Sequence, residues 1–442
     1  MRIASLRRWI AFAFVLGLGT AALSPGRAFA DHVVIQRHVT VRVAPSRQSA
    51  VVTFPDVGAA FTLLDDGART SGYYHIKLSD GREGWVYYTY VQRRPGDAPG
   101  ATLTTGVSGT DRIAVHYINV DQGAAALLEF PCAAIMIDAG GRGADASGHL
   151  IAYLDAFFAR RPDLNHRLAA VFITHTHVDH NSNLQAIAGR YVIGGYIHNG
   201  ILDGSGRNAA RWMVGYSPTG LVGFAQTATP PIPVREVSEA DVVAAGDQGL
   251  SDGVIDPVDC PRVDPKIRVL SGRYDEDPGW PDGEFENGNN QSLVIRVDYG
   301  EASFLFTGDL EEPAIESLVA RYTAGHQLDV DVYEVGHHGS HNGTTASLLA
   351  AMSPEAAVIS MGPMAIQKLW TAWAYGHPRR VTVERLDHGV SGRRAAHTVM
   401  VADKVKAFTP YALTHAVYAT GWDGDVTISS GPNGVLQIDP GQ

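Results

Sequence analysis

The chain reads as an α/β domain preceded by a small all-β barrel, and three observations carry that expectation. Apolar runs of strand length recur at 134–137, 169–173 and 302–306, each running into polar residues and glycines. A helical stretch, 147–160, separates the first two in β–α–β order. Upstream, between residues 33 and 92, short β-rich segments alternate with turns at close spacing, as in a compact barrel.

The first thirty residues stand apart. Arg2, Arg7 and Arg8 precede an apolar run from Ile10 to Leu23, and Ala28-Phe29-Ala30 offers small residues for cleavage. This is the pattern of an export signal, too short for a membrane span, so the mature chain is expected in the periplasm or outside the cell. The pair Arg7-Arg8 leaves the twin-arginine route open. No later segment is long and apolar enough to span a bilayer. The remainder, with 45% apolar and 18% charged residues in the whole chain, suits a globular protein with a full core.

The net charge is −11. Residues 1–30 hold four arginines and no acids, so without them 31 basic residues face 46 acidic ones, a net near −15. That disfavours general affinity for nucleic acid, which depends on neutralising phosphates. It leaves room for a phosphodiester held by metal ions. Cys132 and Cys260 are the two cysteines; a single disulfide and two buried thiols both remain open.

The barrel segments are 39–43, 50–54, 60–64, 73–78 and 84–91. The pieces Val41-Arg42-Val43-Ala44-Pro45-Ser46 and 76–86, ending Glu83-Gly84-Trp85-Val86, resemble the bacterial SH3-type domain. The resemblance implies a domain over 31–92 that tethers the chain to cell wall or to a protein ligand. Trp85, Tyr87, Tyr88 and Tyr90 either line a groove or fill the barrel. Residues 93–110, rich in Pro, Gly, Thr and Ser, read as a linker to a second domain over 111–442.

In that domain the strand at 134–137 ends in Asp138-Ala139-Gly140-Gly141, and the strand at 169–173 runs into His175-Thr176-His177-Val178-Asp179-His180. In extended chain His175 and His177 point the same way and can pinch one cation. Asp179 and His180 fall where a helix starts and can hold a second ion nearby. Imidazole with carboxylate suits zinc, manganese or iron. Residues 199–289, rich in Gly, Pro and Asp, read as a long irregular insertion that roofs the site or elaborates the surface. Asn290-Gln291-Ser292 follows, then a strand ending Thr307-Gly308-Asp309, then His337-His338-Gly339-Ser340, and later Gly376-His377-Pro378. Neighbours such as His337 and His338 do not readily face one ion, so one of the two is expected as a ligand, His338 before His337.

His-x-His-x-Asp-His at 175–180, with Asp138-x-Gly-Gly and Thr-Gly-Asp309, resembles the metallo-β-lactamase-fold hydrolases. That resemblance implies an αββα sandwich with a mono- or dinuclear centre at one edge, Asp309 bridging the ions and Asp138 orienting ligands. The β-lactamase and glyoxalase types carry a third histidine upstream of the bridging aspartate; here Asn290 and its neighbours stand there. Asn-Asn-x-Ser and His-His-Gly-Ser are similar to the hydrolase domain of DNA-uptake proteins of the ComEC type. The implied assignment gives one ion to His175, His177 and Asp309, the other to Asp179, His180, Asp309 and His338. His337 becomes a proton donor or phosphate contact, and His377 a contact at the rim. Asn290, Ser292 and Ser340 surround the ligands or the substrate.

Two divalent ions, zinc or manganese, lower the pKa of a held water toward about 7 and supply hydroxide at neutral pH. Asp179, His337 or His377 could then serve proton transfer. The expected function is an exported metal-dependent phosphodiesterase or nuclease of the ComEC-like type, acting on nucleic acid or an envelope phosphodiester. The alternatives are amide or lactone hydrolysis of the β-lactam type, and a non-catalytic wall-binding protein with a vestigial site. No serine nucleophile elbow, phosphate-binding glycine loop or dinucleotide fingerprint is present.

Overall fold

The computed structural model describes residues 32–36, 39–47, 49–53, 55, 59–78, 82–94, 111–323 and 325–441. The expected export signal and residues 95–110 of the expected linker lie outside the described residues. The chain divides into two compact units, Met1–Val107 and Ser108–Gln442. Among the described residues no helix is long and apolar enough to cross a membrane.

In the first unit an antiparallel sheet runs in the order Val51–Thr53, Val41–Arg42, Glu83–Tyr87, Tyr73–Lys77, Ala60–Leu63, His32–Ile35, Val91–Arg94. Phe61 and Leu63 point inward while Ala60 and Thr62 stay half-buried, the period of two that a one-sided sheet requires. With Val33, Ile35, Val41, Ile76, Leu78 and Val86 they form a separate apolar cluster. Trp85 and Tyr87 are half-buried, and Tyr88 and Tyr90 are exposed.

Strands of the second unit, numbered from its start, form two sheets. They are β1 (Ile113–Tyr117), β2 (Ala126–Glu129), β3 (Ala134–Ile137), β4 (Ala170–Ile173), β5 (Tyr196–His198) and β6 (Val234–Glu236). Next come β7 (Lys266–Ser271), β8 (Val294–Tyr299), β9 (Ala302–Phe306), β10 (Val332–Glu334), β11 (Ala356–Ile359) and β12 (Val417–Ala419). β13 (Val426–Ser430) and β14 (Leu436–Pro440) close the chain. The first sheet has the order β6-β5-β4-β3-β2-β1-β13-β14, parallel from β6 to β3 and antiparallel beyond. The second has the order β7-β8-β9-β10-β11-β12, antiparallel at β7-β8-β9 and parallel from β9 on.

Side-chain alternation assigns the two faces of the first sheet to different cores. Leu128, Ile135, Ile137 and Phe172 share a cluster with Ile295, Val297, Phe304, Phe306 and Val358 of the second sheet, so the sheets pack face to face. Leu127, Met136, Val171 and Ile173 face the other way. There they meet helix α1 (Ala144–Arg160), whose Leu150, Leu154, Phe157 and Phe158 fall at the i, i+4, i+7, i+8 spacing of one helical stripe. Helices α2 (Val178–Asn181) and α3 (Leu184–Ala188) follow β4. On the second sheet's side, α4 (Glu312–Arg321), α5 (Ala346–Met352) and α6 (Arg380–Gly389) contribute Ile315, Leu318, Leu348, Met352 and Leu386. The result is the four-layer αββα arrangement. Strands β3, β4, β9 and β11 are buried throughout, which is why they read as unbroken apolar runs.

Residues 199–289 hold more regular structure than their Gly, Pro and Asp content suggests. They contribute β6 to the edge of the first sheet, β7 to the edge of the second, and a helix at Glu239–Ala245 with a Ser238–Asp241 capping box. A disulfide, Cys132–Cys260, ties this segment to the turn after β2. The long hairpin Arg393–Lys404 with Ala407–His415, which the sequence reading did not single out, precedes β12.

Candidate metal centre

Three turns meet at one end of the sheets, and glycines permit each approach. After β4 the chain passes through His175 and His177 into α2, which carries Asp179 and His180. The Ala139 N–H donates to the His180 carbonyl (2.7 Å) and the Ala124 N–H to the Asp179 carbonyl (3.0 Å). A Cβ on Gly140 would stand 1.6 Å from that Asp179 oxygen, so the Asp138-x-Gly pattern makes room for the motif's backbone. Gly308, at φ 53°, precedes Asp309 in a conformation that favours glycine. His337 and His338 are both left-handed, at φ 50° and 51°, a strain of about 1–3 kcal/mol each that is found mainly at functional sites.

The turns bring one compact set of ligand atoms together. Those of His175, His180 and Asp309 lie within 4.8 Å of one another, as do those of Asp179, His180 and His338. Asp309 Oδ2 is 3.2 Å from His180 Nε2, 3.5 Å from His338 Nε2 and 3.8 Å from His175 Nε2. His338 Nε2 is 3.6 Å from Asp179 Oδ2. His177 stands beside these groups rather than inside them, its Nδ1 3.0 Å from His175 Nε2.

Two imidazoles are locked from behind. His180 Nδ1 donates to Asp138 Oδ2 at 2.7 Å, and Asp138 is itself held by the Thr174 N–H at 2.8 Å and the Thr174 hydroxyl. His338 Nδ1 donates to the Ser360 carbonyl at 2.7 Å. Both Nε2 atoms therefore present lone pairs, yet they face each other at 3.2 Å next to two carboxylates. Lone pairs converging in a buried place need a cation between them, and this donor set fits zinc or manganese.

Protons in place of metal give the expected response. Burial disfavours charge on His180, but Asp309 and Asp138 outweigh it and lift the group well above its ordinary value. Burial likewise opposes charge on His338, and Asp309 with Asp179 raises it to about 10. Burial would raise Asp309, yet His180 and His338 hold it well below the usual carboxylate range. Burial first, and then the neighbouring imidazoles of His180 and of His338, drive His175 and His377 well down.

The set opens into a cleft of about 380 Å³ whose lining includes His177, Ser205, Asn289, His377, Tyr375 and Trp370. His337 lines it too, its Nδ1 3.4 Å from Glu311 and its Nε2 3.4 Å from Asn289 Nδ2. His377 Nδ1 is 3.3 Å from Gln122 Nε2. Asn290 is fully buried and faces away from the cleft, donating to Glu284 and accepting from the Glu311 N–H at 3.0 Å. Ser292 accepts from the Asp309 N–H at 3.1 Å, and Ser340 caps the histidine turn by donating its N–H to the His337 carbonyl. Sequence reasoning singled out Asn290 of the Asn-Asn-x-Ser run where Asn289 lines the cleft, and it missed Glu311 and Gln122. Asn289 adjoins a residue it singled out, but nothing local marks Glu311 or Gln122.

The model of the Metallo-beta-lactamase superfamily matches residues 118–362, more than half of the chain. The chain belongs to that superfamily. Metallo-beta-lactamase superfamily proteins are generally metal-dependent hydrolases, and the His and Asp groups above are candidates to hold a metal. Among curated relatives, competence protein ComA of Neisseria gonorrhoeae is 41% identical over 103 residues, 23% of this chain and 14% of the relative. Recombination protein 2 of Haemophilus influenzae is 42% identical over 89 residues, 20% of this chain and 10% of the relative. The chain thus spans a small part of these relatives' length. Among solved structures, the metallo-beta-lactamase fold protein YhfI from Bacillus subtilis is similar at 12% identity and a TM-score of 0.32, covering 56% of this chain and 85% of its own.

Proposed function

We propose that this chain is an exported metal-dependent phosphodiesterase or nuclease of the ComEC-like type. One observation carries the reading: two tethered imidazoles, His180 and His338, turn their Nε2 atoms on each other and on Asp309, an arrangement in which a metal cation can replace protons. In this reading His175, His177 and Asp309 hold one divalent ion, and Asp179, His180, Asp309 and His338 the other. Bound there, zinc or manganese supplies an activated water and neutralises charge on the diester oxygens.

The chain's own groups do the rest. Asp138 and the Ser360 carbonyl fix the ligand rings. His337, backed by Glu311, holds a phosphoryl oxygen or protonates the leaving oxygen, and His377 contacts the leaving group. Choice of a phosphodiester is supported by Asn290 and its neighbours, with Asn289 in the cleft lining, standing upstream of Asp309 where β-lactam-type enzymes carry a third histidine. Relatives named for competence and recombination lean the same way over the short shared span.

Export is supported by the pattern of residues 1–30 and by Cys132–Cys260, since such bonds persist in oxidising compartments. The first unit, with Tyr88 and Tyr90 exposed and Arg69 lying 4.6 Å over the Tyr88 ring, serves in this reading as an SH3-like module for cell wall or a protein ligand.

The test is a screen of a generic phosphodiester and a chromogenic β-lactam, with manganese or zinc added to the full chain. Diester turnover with the β-lactam intact is expected. Turnover of the β-lactam alone assigns the site to amide chemistry instead, and wall binding with neither turnover assigns it to a vestigial centre.

A further inference from the structure

We infer that the outer wall of the cleft is a stacking platform for a nucleobase, so that the diester taken here belongs to a single-stranded nucleic acid. The inference rests on the phosphodiesterase reading and names its substrate. Rings follow one another from the cleft mouth toward the ligand cluster. Trp370 lies 6.3 Å from Tyr375, Tyr375 lies 5.7 Å from His377 at an interplanar angle of 20°, and His377 lies 6.1 Å from His338. The Arg142 guanidinium covers the Trp370 ring at 4.8 Å.

Trp370 is the unusual member. The residue is 54% exposed and its backbone stands at φ 66°, the left-handed region that a bulky residue enters at a cost of about 1–3 kcal/mol. A plain wall gains nothing from holding a tryptophan open to water in a strained turn. A stacking site does.

Charge does little of the holding in this cleft. Arg142 is the one Arg or Lys among the described residues lining this cleft, in a chain of net charge −11. An anionic strand therefore cannot be held here by a row of neutralised phosphates. Stacking on aromatic and guanidinium planes needs no such row and tolerates every base. Deeper in, Gln122 is 3% exposed and lines the cleft with its Oε1 unpartnered, an acceptor for a sugar hydroxyl or an exocyclic amine. An aliphatic envelope diester would leave the rings unused.

The experiment compares the full chain with Trp370→Ala and Trp370→Phe, whose surface position spares the core. Binding of a labelled oligothymidylate is followed by anisotropy in chelator. Hydrolysis of thymidylyl-thymidine and of glycerophosphoglycerol is followed with manganese. Trp370→Ala should raise both the oligothymidylate Kd and the dinucleotide KM about tenfold or more. Its kcat should stay within about twofold, the mark of lost binding without lost chemistry. Trp370→Phe should retain most of the affinity, and the glycerol diester should be indifferent to either change. Equal losses on the glycerol diester, or an unchanged Kd in Trp370→Ala, overturn the platform. A wild-type chain that cleaves neither diester overturns the phosphodiesterase reading, and the anisotropy comparison still decides the platform.

Discussion

Asp138 does its work one bond behind the cluster: it accepts from His180 Nδ1 and from Thr174, and so aims His180 Nε2 at Asp309. Removing such a partner typically costs 10–100-fold in metal affinity, and Asp138→Ala is expected to fall in that range in a zinc-binding titration. An unchanged isotherm would show that the ring is held by other means. Protons compete for the same ligands. His338 is raised to about 10 without metal, from an ordinary value of 6.5. Metal uptake at pH 7 should therefore release protons, seen calorimetrically as a buffer-dependent heat, and affinity should climb with pH toward 10. The sign for stability is opposite. A group whose folded value is raised contributes fully below 6.5 and loses that contribution as pH climbs through about 10. Melting temperature of the metal-free chain should drop across that window; a flat profile would contradict the His338–Asp309 contact.

At the scale of elements, the site depends on how closely the turn after β3 lies against α2. Gly140→Ala places a methyl group against the Asp179 carbonyl, which must move and take Asp179 and His180 with it. The expected cost is about 1–3 kcal/mol in urea unfolding together with reduced metal uptake. Retained uptake would mean that the turn gives way without disturbing the cluster. The same elements separate what the sequence discloses from what it conceals. Buried strands β3, β4 and β9 announce themselves because both faces are covered and every residue is apolar. The histidine motif stands out because four candidate ligands fall within six residues. β6 does not, since Val234-Arg235-Glu236 is three residues of half-exposed edge with no alternation to read. Gln122 and Arg142 carry no local mark, and only folding brings them to one cleft, as it brings Glu311 behind His337. Asn290 shows the converse: a polar residue in a suggestive pattern whose amide is spent on Glu284 and the Glu311 backbone.

Across the whole molecule, Cys132–Cys260 closes a separation of 128 residues between the turn after β2 and the segment that supplies both sheet edges. Constraint of so long a loop in the unfolded chain should stabilise by about 2–4 kcal/mol. Replacing both cysteines with serine should lower the urea midpoint accordingly, and an unmoved midpoint would assign the bond no such role. Each unit has an apolar cluster of its own, so a chain beginning at Ser108 is expected to fold and to bind metal like the full protein. Loss of metal uptake on that truncation would tie the first unit to the centre. The account turns on a pair of cations held between the sheets' loops, with Asp309 common to both. Its most direct test is the metal content per chain of the wild type and of Asp309→Ala, measured by elemental analysis beside diester turnover. Two divalent ions in the wild type, with at least one ion and the activity gone in the variant, is the predicted result. An active Asp309→Ala chain with its full metal content would contradict it.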